Sequence, residues 1–316
     1  MVKRTIQTSK PGFTTGVEHD HHGIRAARLA VDGRGGYSID RLEEIKGDFS
    51  EDGGLLEGFR QLREKLSPGP RDAIVACISG KQVYASQMEF RHLPHEEMEQ
   101  ALRLELRKTV HFEVATSTLD YQFLSEADAN GGTAQVLVAL AANTLLNRET
   151  RLLEKAGLKP TAVDILAVAV ANSMWSWKGG EPGINPLVAL HVGPQVSTIV
   201  IDGDESPFFN RNVYFSAEDT LGKNTAPADR DKRVKELADE VARSLAFYEK
   251  SSVGSGFREL LLLGEFLEAP SLEDQLRRHA GLPVTKMNLA SKLGFSRATE
   301  PGHFDLAMAL AMRGET

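Results

Sequence analysis

The segments Glu18-His19-Asp20-His21-His22 and His191-Val192-Gly193 hold the side chains of this chain whose types and spacing most invite chemistry. Alternate residues of a strand face one side, so His19 and His21 would offer two imidazoles to zinc or another borderline metal, while Asp20 and His22 point the other way. A structural site takes four ligands and one strand gives two. His191 would supply a third only if two distant segments closed on each other, and the competing reading is a polar, solvated hairpin tip with no metal. Both segments share one form: Gly16 to Val31 and Leu187 to Ile201 each read as strand, tight polar turn, strand. A polar, Gly-containing tip can aim backbone N–H groups at an anion, so two such hairpins half a chain apart suggest two related lobes facing a cleft. No Ser/His/Asp or Cys/His constellation accompanies them. The single cysteine, Cys77, lies in the apolar run Ala73 to Ile78 and reads as buried and inert. His92, His95, His279 and His303 stand isolated.

The rest of the chain must supply the scaffold for those tips. Its 316 residues suit two medium lobes, each able to bury apolar surface of its own. A net charge of −7 argues against a duplex nucleic-acid binder, and one cysteine makes an internal disulfide framework impossible, which fits a cytoplasmic protein. The basic stretch Met1 to Lys10 is followed by no apolar signal region, and no apolar run approaches the ~20 residues that span a bilayer, so membrane association would go through a partner.

Residues 1–15 read as a flexible extension, 16–180 as a first lobe and 181–316 as a second, with the Gly/Pro-rich stretch Lys178 to Pro186 as the boundary. After the first hairpin, Gly33, Gly35 and Gly36 turn the chain into a third strand. A helix over Gly54–Leu66 carries Leu55, Phe59, Leu62 and Leu66 on one face, and strands follow at Ala73–Ile78 and Gln82–Phe90. Pro94 opens a helix running to Lys108, its early acids and late bases matching the macrodipole. Strands over Ser117–Leu124 and Ala134–Leu140 flank a turn-rich loop, Ser125 to Thr133. A helix from Asn143 to Ala156 stops at Gly157, and the strand Ala162–Ile165 and a helix over Ala167–Trp177 close the first lobe. The second lobe continues with a strand over Pro207–Tyr214, then a helix from about Asp229 with Val234, Leu237, Val241, Leu245 and Tyr248 on one face. The strand Glu259–Gly264, a helix over Pro270–His279, the strand Leu282–Met287 and a last helix over Phe304–Arg313 complete it. The mixed charges of Asp229 to Glu240 read as a solvated helix face, with a partner surface as the alternative, and Trp175 and Trp177 lie beside the lobe boundary.

Several segments carry a resemblance: Glu99 to Phe112 followed by Leu119 to Leu124, the Ala156-Gly157-Leu158-Lys159-Pro160 run leading to Asp164, Phe208 to Arg211, Ser244 to Tyr248, and Leu306 to Arg313. In their order and spacing, from about residue 16 to the end, they resemble the two-lobed actin-like proteins and, within them, the type IV pilus assembly PilM family. The resemblance implies an α/β, ribonuclease H-like fold of two lobes with an inserted subdomain in the first lobe, at about 90–140, and a last helix that returns to the first lobe. It also implies a cytoplasmic scaffold of the pilus assembly platform, peripheral to the inner membrane. Such a scaffold would bind the N-terminal cytoplasmic peptide of a PilN-like bitopic membrane protein and communicate with the pilus assembly ATPases. The surface carried over for that peptide is His111, Phe112, Asp120, Tyr121 and Phe123, whose aromatics could receive an extended or loosely helical chain. The alternative for Phe112 and Tyr121 is a place in the core.

The family's nucleotide contacts map onto altered residues. Its first phosphate loop, Asp-x-Gly followed by Lys, corresponds to Glu18, Asp20 and Arg25, where a β-carbon and an added negative charge at Asp20 obstruct an anion. In the second loop the acid that would hold a metal-bound water is His191, with Gly193, Ser197 and Thr198 still able to hydrogen-bond. The Gly-Gly turn expected after the buried strand is Gly264-Glu265. The resemblance therefore implies a degenerate cleft of Glu18, Arg25, His191, Gly193, Ser197, Thr198 and Gly264, with no catalytic residue, no bound metal and no cofactor, and with Mg-ATP disfavoured. Two other readings stand beside the adaptor: an ATP-hydrolysing enzyme of the same fold using Glu18 and Asp20, and the cytoplasmic component of a type II secretion system, whose relatives continue into a membrane span that is not read here.

Overall fold

The computed structural model describes residues 12–32, 36–91, 93–125, 133–179, 185–203, 206–217, 220, 225–251, 256–265, 267, 271–294 and 300–313. Gly33 and Gly35, most of the Ser125 to Thr133 loop, residues 180–184 of the lobe boundary, and His92 lie outside them. The first sheet grows from the first hairpin, β1 (Phe13–His19) and β2 (Gly23–Val31), joined by a tip in which Asp20 Oδ1 accepts hydrogen bonds from the His22 and Gly23 amides at 2.6 and 3.0 Å. An aspartate that bonds the backbone two and three residues ahead fixes a tight turn. β3 (Tyr37–Lys46) extends the meander, and α1 (Asp52–Leu66) crosses to β4 (Ala73–Ile78), which pairs parallel with β1. The wholly apolar AIVACI sequence of β4 is buried throughout, as a strand covered on both faces requires. Thr14 and Thr15 are buried inside β1, so residues 13–15, read as part of an N-terminal extension, belong to the first sheet.

Three elements complete the first lobe's main sheet: α3 (Asn143–Ala156), β8 (Ala162–Ile165) and α4 (Leu166–Lys178), where strand numbers follow chain order. α3 stops because Gly157 adopts φ +83°, a left-handed turn open to glycine, and the Gly157 and Leu158 amides bond back to Glu154 and Leu153. The strand order is β3-β2-β1-β4-β8. The second lobe repeats it. With β9 (Leu187–Val192), β10 (Ser197–Gly203), β11 (Ser206–Val213), β12 (Leu260–Gly264) and β13 (Val284–Lys286), the order is β11-β10-β9-β12-β13. In each sheet an antiparallel three-strand meander is followed by two parallel strands.

In the second lobe α5 (Pro227–Ser251) connects β11 to β12, α6 (Leu272–Ala280) connects β12 to β13, and the single turn α7 (Leu289–Lys292) follows β13. The last helix, α8 (Asp305–Arg313), leaves the second lobe and packs on β1 of the first. A Cβ at Gly16 would stand 1.9 Å from the Ala307 carbonyl oxygen, so this close approach requires glycine. Arg313 reaches Asp164 at 2.9 Å and the Tyr37 hydroxyl donates to the Met312 carbonyl. α4 and α8 thus lie between the two sheets, in a shared core that joins Val75 and Ile165 of the first lobe to Ala189, Val200 and Leu261 of the second.

A third sheet, in the order β5-β7-β6, forms the inserted subdomain from β5 (Val83–Arg91), β6 (Ser117–Ser125) and β7 (Thr133–Ala142), with α2 (His95–Thr109) on one face. It runs from residue 83 to 142, wider at both ends than 90–140, because β5 and β7 pair along their whole length from Val83 opposite Ala141 to Arg91 opposite Thr133. The strand at 83–91 therefore belongs to the insert's sheet and not to the sheet that holds β4. Its other edge meets the second lobe: the Phe208 amide donates to Gln87 Oε1 at 2.6 Å and Asn210 Nδ2 to the Ala85 carbonyl at 2.7 Å.

Candidate functional site

The two hairpin tips face each other across a cavity of about 350 Å³ lined by both lobes and by β5 of the insert. At its centre lies Arg25, 4 % exposed. In the hairpin register Arg25 sits opposite Glu18, and on its other side opposite Glu44 of β3, so an arginine stands between two glutamates in a cross-strand row. Its Nε lies 3.4 Å from Glu18 Oε1, its Nη2 donates to Asp20 Oδ2, and its Nη1 meets Glu265 Oε1 at 2.6 Å and Glu44 Oε1 at 3.9 Å. Glu265 comes from the second lobe, directly after β12, where Gly264 holds φ +105° and the Glu265 amide donates to the Val192 carbonyl at 2.9 Å. A Cβ at Gly264 would meet that same carbonyl oxygen at 2.3 Å, so the turn that aims Glu265 into the cleft needs its glycine.

Burial and the Arg25 charge compete over the protonation of this cluster. It pushes the Glu18 carboxyl up to about 7 even though Arg25 pulls the other way. Burial likewise raises Glu265, opposed by Arg25 and reinforced by Asp20. For Asp20 burial also opposes ionisation, but Arg25 and the His22 and Gly23 amides outweigh it and hold the carboxyl below its ordinary value. Arg25 stays charged against its own desolvation because Glu18, Glu265 and Asp20 surround it. Each nitrogen of this guanidinium already meets a carboxylate. A phosphate would have to displace them and would enter among four acids.

On the second tip, burial and the Arg25 charge lower His191 to about 4, so its ring is neutral, and its Nδ1 is buried without a hydrogen-bond partner. Gly193 lines the cavity in a turn so tight that a Cβ there would meet the Val196 carbonyl oxygen at 2.4 Å. Thr198 also lines it, opposite His191 in the register, with its hydroxyl donating to Asn212 Oδ1 at 2.9 Å. Ser197, read with Thr198 as a hydrogen-bonding pair in the cleft, is fully buried and does not line the cavity: neighbouring strand residues face opposite sides.

The three histidines weighed as a metal site, His19, His21 and His191, all border the cavity but do not converge as ligands. His19 Nε2 bonds Glu149 Oε1 of α3 at 3.0 Å and its ring packs edge-on against Phe59 of α1, on the sheet face away from Arg25. Among the described residues no three His, Cys, Asp or Glu side chains form a metal-ligating group. Cys77 is buried, and burial raises its thiol well above the ordinary value. Two histidines read as isolated have carboxylate partners: His303 Nε2 lies 3.0 Å from Glu44 Oε1 at the cleft, and His279 Nδ1 lies 2.7 Å from Asp239 Oδ1 on the far side of the second lobe. Sequence reasoning missed Glu44 and His303 as cleft residues.

The residues carried over for a peptide lie on the insert, and the structure divides them. Tyr121 and Phe123 stack edge to face at 5.9 Å on the side of β6 that packs against Met98, Leu102 and Leu106 of α2. Asp120 is exposed on the opposite side of the strand. His111 and Phe112 follow the C-terminus of α2 and line a shallow depression with Arg107, Glu113 and Val114. Phe112 and Tyr121 are half-buried, each with one side in the insert's core. β6 is an edge strand, with β7 as its one sheet neighbour.

Comparisons with known proteins agree with this architecture. A search of curated protein sequences finds no match. Among solved structures, a "PilM-PilN type IV pilus biogenesis complex" superposes with a TM-score of 0.81 at 19% identity, covering 96% of this chain and 98% of that one. A diol dehydratase-reactivating factor in nucleotide-free form gives 0.55 at 7% identity, over 95% and 99% of the two chains. The ethanolamine utilization protein EutJ from Carboxydothermus hydrogenoformans gives 0.54 at 11% identity, over 99% and 93%. Likeness at such identities concerns the fold, which is the two-lobed actin-like one with an insert in the first lobe. The family model for type IV pilus assembly protein PilM matches residues 16–223, from the first hairpin through the insert and into the second sheet, and the chain belongs to that family.

Proposed function

We propose that this protein is a cytoplasmic adaptor of the type IV pilus assembly platform, enzymatically silent, that docks at the inner membrane by binding the N-terminal cytoplasmic peptide of a PilN-like bitopic membrane protein. The observation that carries the silent-cleft part is the engagement of Arg25 by Glu18, Asp20 and Glu265, which commits the guanidinium between the two tips to carboxylates. Membership of the PilM family and the likeness to a structure of a PilM-PilN complex support the partner. For the peptide we take His111 and Phe112 after α2 together with the edge of β6, whose Asp120 lies on one side and whose Tyr121 and Phe123 lie on the other. Contacts with the pilus assembly ATPases belong to the same reading. No helix among the described residues is long and apolar enough to cross a membrane, so the partner supplies the anchorage.

Isothermal titration separates this reading from that of an enzyme. The peptide should bind the wild type and Glu18→Ala alike and should weaken at least tenfold on Tyr121→Ala, while Mg-ATP gives no heat with either protein. Micromolar Mg-ATP affinity, or turnover lost on Glu18→Ala, would establish the enzyme instead.

A further inference from the structure

Two polar ties run from the first lobe to the second, an ion pair from Arg25 and a carboxylate–histidine contact from Glu44, and both originate in one cross-strand row. Arg25 of β2 bonds Glu265 at 2.6 Å while its other donors hold Glu18 and Asp20 of its own hairpin. One strand away, Glu44 of β3 bonds His303 at 3.0 Å, and His303 follows Gly302, whose amide donates to the Met287 carbonyl beside β13. Neither second-lobe residue hangs on a loose loop. Gly302 holds φ +80° and lies against Gly264, whose amide donates to the Gly302 carbonyl, so the turns carrying Glu265 and His303 brace each other. Each lobe also has a hydrophobic core of its own: one around Phe59, Ile24 and Leu153, the other around Leu190, Val241 and Leu262. Two bodies that each have a core beside the shared one can change their mutual angle by shear at the α4–α8 layer, and what spans the cleft then sets that angle.

We propose that Arg25 is a built-in ligand of the cleft: its guanidinium ties the first hairpin to Glu265, Glu44–His303 forms a second tie, and together they hold the lobes closed without nucleotide. The chemistry suits the role. A guanidinium presents five donors in a fixed fork, and the side chain of Arg25 is only 5% exposed and that of Glu265 17%, so the bond is shielded from screening by salt. Asp20 belongs to the device as well as to the turn, since one oxygen fixes the hairpin tip and the other holds Arg25 toward the second lobe.

The inference rests on the adaptor reading only for the silent nucleotide cleft and makes no use of the peptide. Spin labels at Glu57→Cys on α1 and Asp274→Cys on α6, both exposed, report the separation of the lobes by pulsed electron resonance, with buried Cys77 left in place. The wild type should give one narrow distance distribution. Glu265→Gln should widen it, Glu265→Lys should shift it to longer distances, and Arg25→Gln should match the lysine variant, with folding of each checked by circular dichroism. Unchanged distributions in folded Glu265→Gln and Glu265→Lys overturn the proposal, and these two variants decide it even if Arg25→Gln does not fold. A wild-type distribution moved by Mg-ATP would contradict the silent cleft instead, leaving the clasp to be judged on the nucleotide-free variants.

Discussion

The two hairpin tips stand at the same place in two copies of one sheet topology, yet they do opposite electrostatic work. In the first, the cross-strand pair that lines the cavity is Glu18 and Arg25; in the second it is His191 and Thr198. Burial acts on both. It drives Glu18 toward its neutral acid and His191 toward its neutral base, so the charge left at the centre belongs to Arg25 and to the acids that hold it. The shared scaffold fixes where the side chains point, and the tip residues alone decide whether the cleft offers its charge to a ligand or spends it internally.

The comparison breaks most severely at Arg25. Arg25→Ala removes the one cation among buried acids, and losing a partner of a buried ion pair costs on the order of 3–5 kcal/mol. Urea unfolding should show that loss in full at pH 8 and less of it at pH 5, where Glu18 can take up a proton and relieve the repulsion. A loss that does not depend on pH would mean that Arg25 stabilises by packing alone.

A finer test sets the two tips against each other. Glu18 has its value raised from 4.5 to about 7, so its contribution to stability is complete below 4.5 and is lost as pH rises through 7. His191 has its value lowered from 6.5 to about 4, so its contribution is complete above 6.5 and is lost as pH falls through 4. Between pH 5 and 6.5 the two slopes oppose, each reaching at most about 1.4 kcal/mol per pH unit. Relative to the wild type, Glu18→Gln should make stability climb more steeply with pH and His191→Gln should make it climb less or fall, as read from denaturant midpoints. Tilts in the same direction would refute the opposition. The smallest effect is expected at Thr198→Val, which strips the second tip of its hydroxyl bond to Asn212 at a cost of about 1 kcal/mol and leaves the pH profile as it was.

Much of the fold is written locally. The strands at Ala73–Ile78 and Ala162–Ile165 and the helix Asn143–Ala156 fall where apolar runs, periodicity and the Gly157 stop place them, because those signals depend on neighbours a few residues away. The single turn α7 escaped: four residues show no period, and its start is held by Asn288 and by Asp305 from another element. Both hairpins, the actin-like fold and the family were legible for the same reason, since each rests on local pattern and ordered motifs.

The chemistry of the cleft was less so. The sequence by itself determined that Glu18 and Arg25 share a hairpin and that His191 and Glu265 replace small or acidic residues near the opposite tip. Only the tertiary structure decided that Arg25 is spent on carboxylates and that His19 turns away to Glu149. A β-bulge between Arg28 and Leu29 shifts the pairing so that Glu44, and not Glu43, stands opposite Arg25, which no count of residues back from the Gly36 turn would show. Glu265 and His303 reach the cluster from the far lobe. Strand alternation is a property of the local backbone, whereas a charge finds its partner through register and through the closure of two lobes, and both of those are fixed by contacts between residues remote in sequence.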